Sequence, residues 1–227
     1  MATLNTILSI AESVGINDQR FVGQIISRNQ RIATSEILSV QPFAFEMKPM
    51  NYLLYSQNRQ LLSALRTADR EYEQYLNFGT TGWINYISYQ GDMTSGQIAA
   101  CQYQTSSANK TIVLGSLPTI SSGSYSVKTG DYLQIDRYAY IATADVLRGS
   151  SSTVNIPVHR TIMTTLATPM YAVIGQYGTT QSLGGSTFTG ITFPVILTQY
   201  PNYTLIPMTN DSFIAWQGTF KALEAVL

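Results

Sequence analysis

The two side chains best suited to catalysis occur once each in this 227-residue chain, as His159 and Cys101. A Ser–His–Asp triad needs a histidine base beside a positioned nucleophile, and the chain has no G-x-S-x-G nucleophile motif. One histidine and one cysteine also fall short of the usual zinc ligand sets. We therefore expect His159, at a strand end, to make an ordinary hydrogen bond and Cys101 to be a small buried hydrophobe.

Three aspartates, Asp131, Asp136 and Asp145, are close enough in sequence to line one β unit. Two carboxylates at the right separation suffice for glycoside hydrolysis, so the residues alone leave that chemistry open. Turn and strand-end roles account for all three, and the chain has neither a Walker A motif nor a G-x-G-x-x-G phosphate loop. The sequence therefore predicts no catalytic, cofactor-binding or metal-ligating residue, no cofactor, and a protein that is not an enzyme.

Several tyrosines in the middle of the chain allow two interpretations. They could form a platform on which sugar rings stack, or they could form cross-strand pairs and subunit contacts. Cross-strand aromatic pairs stabilise a sheet by about 0.2–1 kcal/mol each, which favours the second interpretation. The residues concerned are Tyr86, Tyr89, Tyr103, Tyr132, Tyr138 and Tyr140.

The composition bounds the partners. Thirteen Lys and Arg balance thirteen Asp and Glu, and charged residues make up only 11% of the chain. Nucleic-acid binding rests on a basic excess, so we expect no specific nucleic-acid readout. Interfaces are poor in Lys and Glu and rich in Tyr, so fifteen tyrosines favour a surface covered by partner proteins. The N-terminus does not read as a secretory signal, and no apolar run reaches the ~20 residues that span a bilayer, which predicts synthesis in a cytoplasm and no membrane association.

The N-terminal third changes its periodicity. Apolar residues at helical spacing predict a helix over residues 3–14, with Gly15 placed to end it. The Asn58–Gln74 segment is the most charged part of the chain and fits either a short helix or an exposed connecting arm. Alternation of apolar and polar residues with a period of two predicts three strands in this region: Phe21–Ser27, Ile37–Met47 and Tyr52–Tyr55.

The stretch from Trp83 to Leu114 predicts a strand, a helix and a second strand. The first strand is Trp83–Tyr89, where both faces are partly apolar. Thr94 and Gln97 have the spacing of a capping box, so the helix should begin there and run over about residues 94–106. Thr111–Leu114 then resumes the strand pattern.

The second half predicts further strands. Tyr132–Ile135 and Tyr138–Ala144 should form a hairpin, followed by a strand at Thr153–Val158. Residues 168–208 suggest two or three more strands around a glycine-rich tip. The closing strand places Ile214, Trp216 and Phe220 on one face. These patterns divide the chain into residues 1–35, 36–120 and 121–227, with a soft boundary in the loop at residues 115–123.

Several motifs in a fixed order carry a resemblance. The string GWINYISYQGDMTSGQIAACQ is followed by Lys128–Asp131 and Thr143–Val146, and the chain closes on Trp216–Phe220 and Glu224. This order resembles the distal-tail and baseplate-hub proteins of bacteriophages. The whole chain is also similar to virion structural proteins of contractile-tailed phages that infect cyanobacteria.

The resemblance implies a fold that is mainly β with minor α: a tail-tube-like β-sandwich or barrel with one flanking helix. The chain departs from the common layout of these proteins by an extra N-terminal helix and by a β-rich insertion at about residues 165–210. The resemblance divides the tube-like module into a first part at residues 36–120 and a second part at residues 121–227. It also implies a homo-oligomeric ring with six-fold or three-fold symmetry, located in the virion at the junction of tail tube and baseplate. The partners would be the tail tube and other baseplate proteins. A carbohydrate-binding adsorption module and a neck or tail-completion protein stay open as alternatives.

Overall fold

The computed structural model describes residues 3–18, 22–26, 32–36, 42–67, 72–79, 87–104, 110–119, 121, 123–163 and 170–226. Within these ranges the protein is mainly β with minor α, as the sequence predicts, and contains three helices and 22 strands. Up to residue 77 the elements are α1 (Thr3–Ser9), β1 (Ala11–Asp18), β2 (Val22–Ile26), β3 (Ile32–Glu36), β4 (Phe43–Pro49), β5 (Leu53–Leu54), α2 (Tyr55–Thr67) and β6 (Gln74–Asn77).

The remaining elements are short in the middle of the chain and longer at its end. The middle part holds α3 (Ser95–Ala99), β7 (Gln102–Gln104), β8 (Thr111–Gly115), β9 (Tyr125–Val127), β10 (Tyr132–Ile135), β11 (Tyr138–Ile141), β12 (Val146–Leu147), β13 (Val154–Pro157), β14 (Met170–Tyr171), β15 (Val173–Ile174), β16 (Tyr177–Gly178), β17 (Gln181–Leu183) and β18 (Ser186–Phe188). The last four strands are β19 (Thr192–Gln199), β20 (Asn202–Met208), β21 (Asp211–Gln217) and β22 (Phe220–Glu224).

The chain forms two compact units. Unit 1 comprises residues 1–76 and 194–227, and unit 2 comprises residues 77–193. Unit 2 is thus an insertion between β6 and β19, which are neighbours in one sheet of unit 1. This division differs from the predicted segments 1–35, 36–120 and 121–227, and from an insertion at residues 165–210. The predicted boundaries rest on local changes in composition. The boundaries between the two units depend instead on the pairing of β6 with β19, which lie on either side of the insertion in sequence.

Unit 1 is built on a five-stranded sheet in the order β1-β4-β22-β19-β6. In β4 the side chains of Phe43, Phe45 and Met47 are buried, as their alternation predicts. The predicted helix over residues 3–14 is too long, because α1 ends at Ser9 and β1 follows at once. β1 pairs antiparallel with β4, with Val14 opposite Met47 and Ile16 opposite Phe45, so these apolar residues extend the sheet and Gly15 lies within a strand.

Of the two predicted alternatives for the charged segment Asn58–Gln74, the structure shows the helix over residues 58–67, whereas Gln74 already belongs to β6. α2 covers Tyr55–Thr67 and buries Leu62 and Leu65 on one face. Residues 68–71 lie outside the described residues. Strands β20, β21 and β5 form a second, three-stranded sheet in unit 1, with β21 in the middle.

Unit 2 packs short sheets around its own core. The sheets have the orders β11-β10-β15-β16 and β13-β8-β7-β14, with the pairs β12-β9 and β17-β18 beside them. The predicted hairpin is confirmed, since Tyr132–Ile135 pairs in register with Tyr138–Ile141 across a turn at Asp136. The core takes side chains from both larger sheets, including Ile112, Leu133 and Ile174.

The helix of unit 2 begins as the sequence predicts but ends early. The Thr94 hydroxyl accepts from the Gln97 N–H, and the Gln97 side chain accepts from the Thr94 N–H, which completes the capping box. The helix ends at Ala99, and Gln102–Gln104 forms β7, so the predicted helix over residues 94–106 is too long. Residues 83–86 of the predicted Trp83 strand lie outside the described residues, and Ile87–Tyr89 is not a strand.

The last third of the chain contains more strands than predicted. Seven strands, β14 to β20, replace the two or three expected within residues 168–208, of which residues 164–169 lie outside the described part. The closing segment divides at Gly218, which has a φ of +101°, into β21 and β22. Ile214, Trp216 and Phe220 are all buried, as predicted, and β22 docks inside the five-stranded sheet.

Candidate functional site

His159 has the hydrogen-bonding role that its position predicts. It follows β13, its side chain is buried, and its Nδ1 accepts a hydrogen bond from the Ile141 N–H at 2.9 Å. The backbone N–H of His159 donates in return to the Ile141 carbonyl at 3.0 Å. The imidazole therefore joins the end of β13 to β11.

Cys101 is a free, buried thiol, as expected, although it lies just beyond α3 and not on it. Its Sγ donates to the Gln97 carbonyl at 3.5 Å. Burial raises the pKa of the Cys101 thiol to about 11, because the thiolate would lose its hydration. The thiol is the inert form, and this residue packs as a small hydrophobe.

The three aspartates stabilise or form turns. Asp131 is buried and accepts from the backbone N–H groups of Gln90 and Lys128, both at 2.8 Å. Asp145 accepts from the Thr129 N–H at 2.7 Å and from its hydroxyl at 2.8 Å. Asp136 has a φ of +55° at the β10–β11 turn. The turn and strand-end roles inferred from the sequence account for all three.

The sugar-stacking platform, which was the less favoured of the two interpretations, does not form on the described tyrosines. Tyr103, Tyr132, Tyr138 and Tyr140 are buried, and Tyr89 is half-buried with its hydroxyl donating to the Ser126 carbonyl at 2.6 Å. The reason is that β10 is buried along its whole length and β11 along most of it, which leaves these rings no open face.

Four of these rings make the cross-strand pairs of the other interpretation. Tyr132 lies opposite Ile141, Tyr140 opposite Leu133, Tyr138 opposite Ile135 and Tyr103 opposite Leu114. Tyr86 lies outside the described residues. Among the residues that the structure describes, no group of three or more His, Cys, Asp or Glu could hold a metal ion. Within the same ranges, no helix has both the length and the apolar character to cross a membrane.

The surface that stands out instead is strand β20. All seven of its residues pair with β21, and its other side has no strand beside it among the described residues. We call this side of Asn202–Met208 the open edge. Leu205, Ile206 and Met208 are each 43% exposed there. Exposed edges are commonly blunted by charged residues, above all lysine, and β20 contains none.

Both faces of the sheet are apolar at the open edge. Directly opposed residues of antiparallel strands share a face. Ile206 therefore lies on one face with Phe213 and Leu54, and Leu205 lies on the other with Ile214. The Tyr52 ring, 67% exposed, extends the first face by packing edge-on against Phe213 at 6.1 Å.

The open edge is held in place from the helix side. Asp211 begins β21, and its carboxylate accepts from the Ser56 hydroxyl at 2.7 Å and from the Ser56 N–H at 3.2 Å. These hydrogen bonds lower the pKa of Asp211. The β20–β21 turn uses Asn210 at a φ of +67°, a conformation that asparagine tolerates. The strand is thus fixed at its turn, while its outer side has no strand beside it in the part of the chain that the structure describes.

Sequence reasoning did not single out the open edge, although one signal was present. Pro207 lies within β20, and proline in a sheet is confined to edges, first positions and bulges. A strand that combines an internal proline with Leu205, Ile206 and Met208 is typical of an apolar edge.

Neither a family model nor a curated protein matches this chain. The open edge and the two units are therefore interpreted from the chain's own residues.

Proposed function

We propose that this chain is a structural component of a phage tail that forms a ring at the junction of tail tube and baseplate. The observation that carries the proposal is the open edge of unit 1, where β20 exposes large apolar side chains and has no strand on its outer side among the described residues. The proposed partners are other copies of the chain, the tail tube and further baseplate proteins, and the proposed location is the virion.

The energetics of the open edge favour a covered state. Fully burying a Leu, Ile or Met side chain contributes about 1.5–3 kcal/mol. Since Leu205, Ile206 and Met208 are each 43% exposed, covering them contributes about 1 kcal/mol per residue. A neighbouring strand would also satisfy the backbone groups along β20.

In a ring, the open edge of every copy would be buried by the neighbouring copy in the same way. In a head-to-tail contact, the open edge of one copy meets a different surface of the next, and such contacts close into a ring when the rotation is right. The zero net charge and the 11% of charged residues keep electrostatic repulsion between copies low. The order of motifs that resembles distal-tail and baseplate-hub proteins supports the same assignment.

The proposal predicts that the wild-type protein sediments as an oligomer at tens of micromolar. Ile206→Lys places a charge on the open edge. It should raise the dissociation constant between copies at least tenfold, so that more of the protein is monomeric. Leu147→Lys is the matched control, because Leu147 is 53% exposed on β12 of unit 2. Circular dichroism checks that both variants stay folded.

A wild-type protein that sediments as a stable monomer would count against the ring. Equal effects of Ile206→Lys and Leu147→Lys would count against the open edge as the contact between copies.

A further inference from the structure

We propose that unit 2 binds a neutral saccharide in a small cavity beside Tyr171. The cavity has a volume of about 230 Å³, and its walls include Asp136, Tyr171, Thr179, Thr180, Gln181 and Ser182. Three pieces of unit 2 meet here: the β10–β11 turn, the edge strand β14 and the β17–β18 hairpin. This inference is independent of the ring, since every wall residue belongs to unit 2.

The walls match the two surfaces of a sugar ring. Tyr171 is 53% exposed, and it is the one aromatic residue among the large, exposed apolar residues described in unit 2. An aromatic face packs against the apolar C–H side of a sugar. The hydroxyl rim needs donors and acceptors together, which a carboxylate, an amide and several hydroxyl groups supply.

Gln181 adds a second, independent observation. Its amide Oε1 and Nε2 are both shielded from solvent, and neither has a hydrogen-bond partner in the described part of the chain. A buried amide without hydrogen-bond partners lowers the stability of the folded protein. Unfavourable features of this kind tend to occur at functional sites. A small turn of this side chain toward the cavity that it borders would let Oε1 accept from one sugar hydroxyl and Nε2 donate to the next.

The cavity also indicates the charge of the ligand. Asp136 is the charged residue among its described walls, which contain no Lys or Arg. An acidic sugar would therefore meet a carboxylate with no cation to offset the repulsion. A neutral hexose or pentose unit, free or at the end of a glycan, fits this lining best.

Saturation-transfer NMR on the full-length protein tests the proposal with a panel of neutral methyl glycosides and with glucuronic acid as the charged probe. We expect millimolar binding of at least one neutral glycoside, and at least tenfold weaker binding of glucuronic acid. Tyr171→Ala should weaken the neutral glycoside at least tenfold. Tyr72→Ala, which removes a 70% exposed tyrosine from unit 1, should leave its affinity unchanged.

Gln181→Leu separates ligand binding from a purely structural role. Because the amide lacks partners in the free protein, leucine of similar size should leave the melting temperature unchanged or raise it, while glycoside binding falls at least tenfold. The proposal is overturned if no neutral glycoside binds, if Tyr171→Ala binds like the wild type, or if Gln181→Leu lowers the melting temperature without changing binding.

Discussion

Unit 1 and unit 2 treat their large apolar side chains in opposite ways. Ten such residues are exposed in the described part of the chain, and eight belong to unit 1: Met50, Tyr52, Tyr72, Ile196, Leu205, Ile206, Met208 and Val226. Among its large apolar residues, the described part of unit 2 exposes only Leu147 and Tyr171, and it buries four of its eight described tyrosines. Unit 2 therefore has the surface of a self-sufficient domain, whereas unit 1 has a surface that needs cover.

We propose different tasks for the two units. Unit 1 carries the open edge, which is the proposed contact between copies. Unit 2 is continuous in sequence, and it carries the cavity beside Tyr171, which is the proposed saccharide site. An inserted unit of this kind can specialise in recognition without changing the proposed assembly surface.

The largest expected effect tests whether a buried tyrosine of unit 2 contributes more to the stability of the protein than an exposed tyrosine of unit 1. Tyr140→Ala should lower the free energy of unfolding by about 3–5 kcal/mol, because the ring is fully buried and its hydroxyl accepts from the Met163 N–H at 2.9 Å. Tyr72→Ala, at an exposed ring of unit 1, should change it by about 0.5 kcal/mol or less. Urea denaturation measures the free energy of unfolding of both variants. Equal losses of stability would contradict the proposed difference between the two tyrosines.

The next effect concerns the ends of the insertion. Gly190 has a φ of +73°, and a Cβ there would approach the Gly79 Cα at 2.6 Å. Gly190→Ala should destabilise the protein by about 2–4 kcal/mol, as left-handed strain and overpacking add. Gly185→Ala is the control, because Gly185 has a similar φ of +76° but open space around it, and should cost about 1–2 kcal/mol. Identical melting temperatures for the two variants would show that the close approach does not matter.

A smaller effect tests the helix start in unit 2. Thr94→Ala removes the hydroxyl that accepts from the Gln97 N–H and should lower stability by about 1 kcal/mol. Thr119→Ala removes a hydroxyl that caps no described helix and should have a smaller effect. Chemical denaturation compares them, and a larger loss for Thr119→Ala would contradict the capping argument.

The smallest effect is a difference in titration between the two units. The Ser56 hydroxyl, the Ser212 N–H and the Ser56 N–H lower the pKa of Asp211 in unit 1. Burial raises the pKa of Asp131 in unit 2, against the hydrogen bonds from Lys128 and Gln90. The two carboxyl groups should therefore titrate on opposite sides of the ordinary aspartate value of about 3.9.

The signs for stability follow from the directions of these shifts. The contribution of Asp211 is present above the ordinary aspartate pKa and is lost as the pH falls through its lowered folded pKa. The contribution of Asp131 is present below the ordinary value and is lost as the pH rises through its raised folded pKa. NMR titration of the carboxyl carbons checks both, and Ser56→Ala should move the pKa of Asp211 upward and leave Asp131 unchanged. A pKa of Asp211 above that of Asp131 would reverse the contrast.

Local chemistry was readable from the sequence. The Thr94–Gln97 capping box and the Tyr132–Ile135 hairpin depend on residues a few positions apart, and both are confirmed. The alternation of Phe43, Phe45 and Met47 placed these side chains on one face of a strand, and the structure buries that face. Each of these features is decided within one element or one turn.

Long-range pairing was not readable. Ala11 and Val14 continue the helical spacing of Leu4 and Ile7, but pairing of β1 with β4 overrides that local pattern. The insertion was missed because β6 and β19 adjoin in the sheet while lying far apart in sequence. The tyrosines were correctly recognised as pairing residues, but the Tyr171 cavity was missed, because it forms only where three separate elements meet.

A cryo-electron microscopy map of the phage tail tests the central claim most directly. The account predicts a closed ring of copies between tail tube and baseplate, with Leu205, Ile206 and Met208 of each copy buried against the next. A map that places the chain only at the neck, or that leaves the open edge facing solvent in every copy, would contradict it.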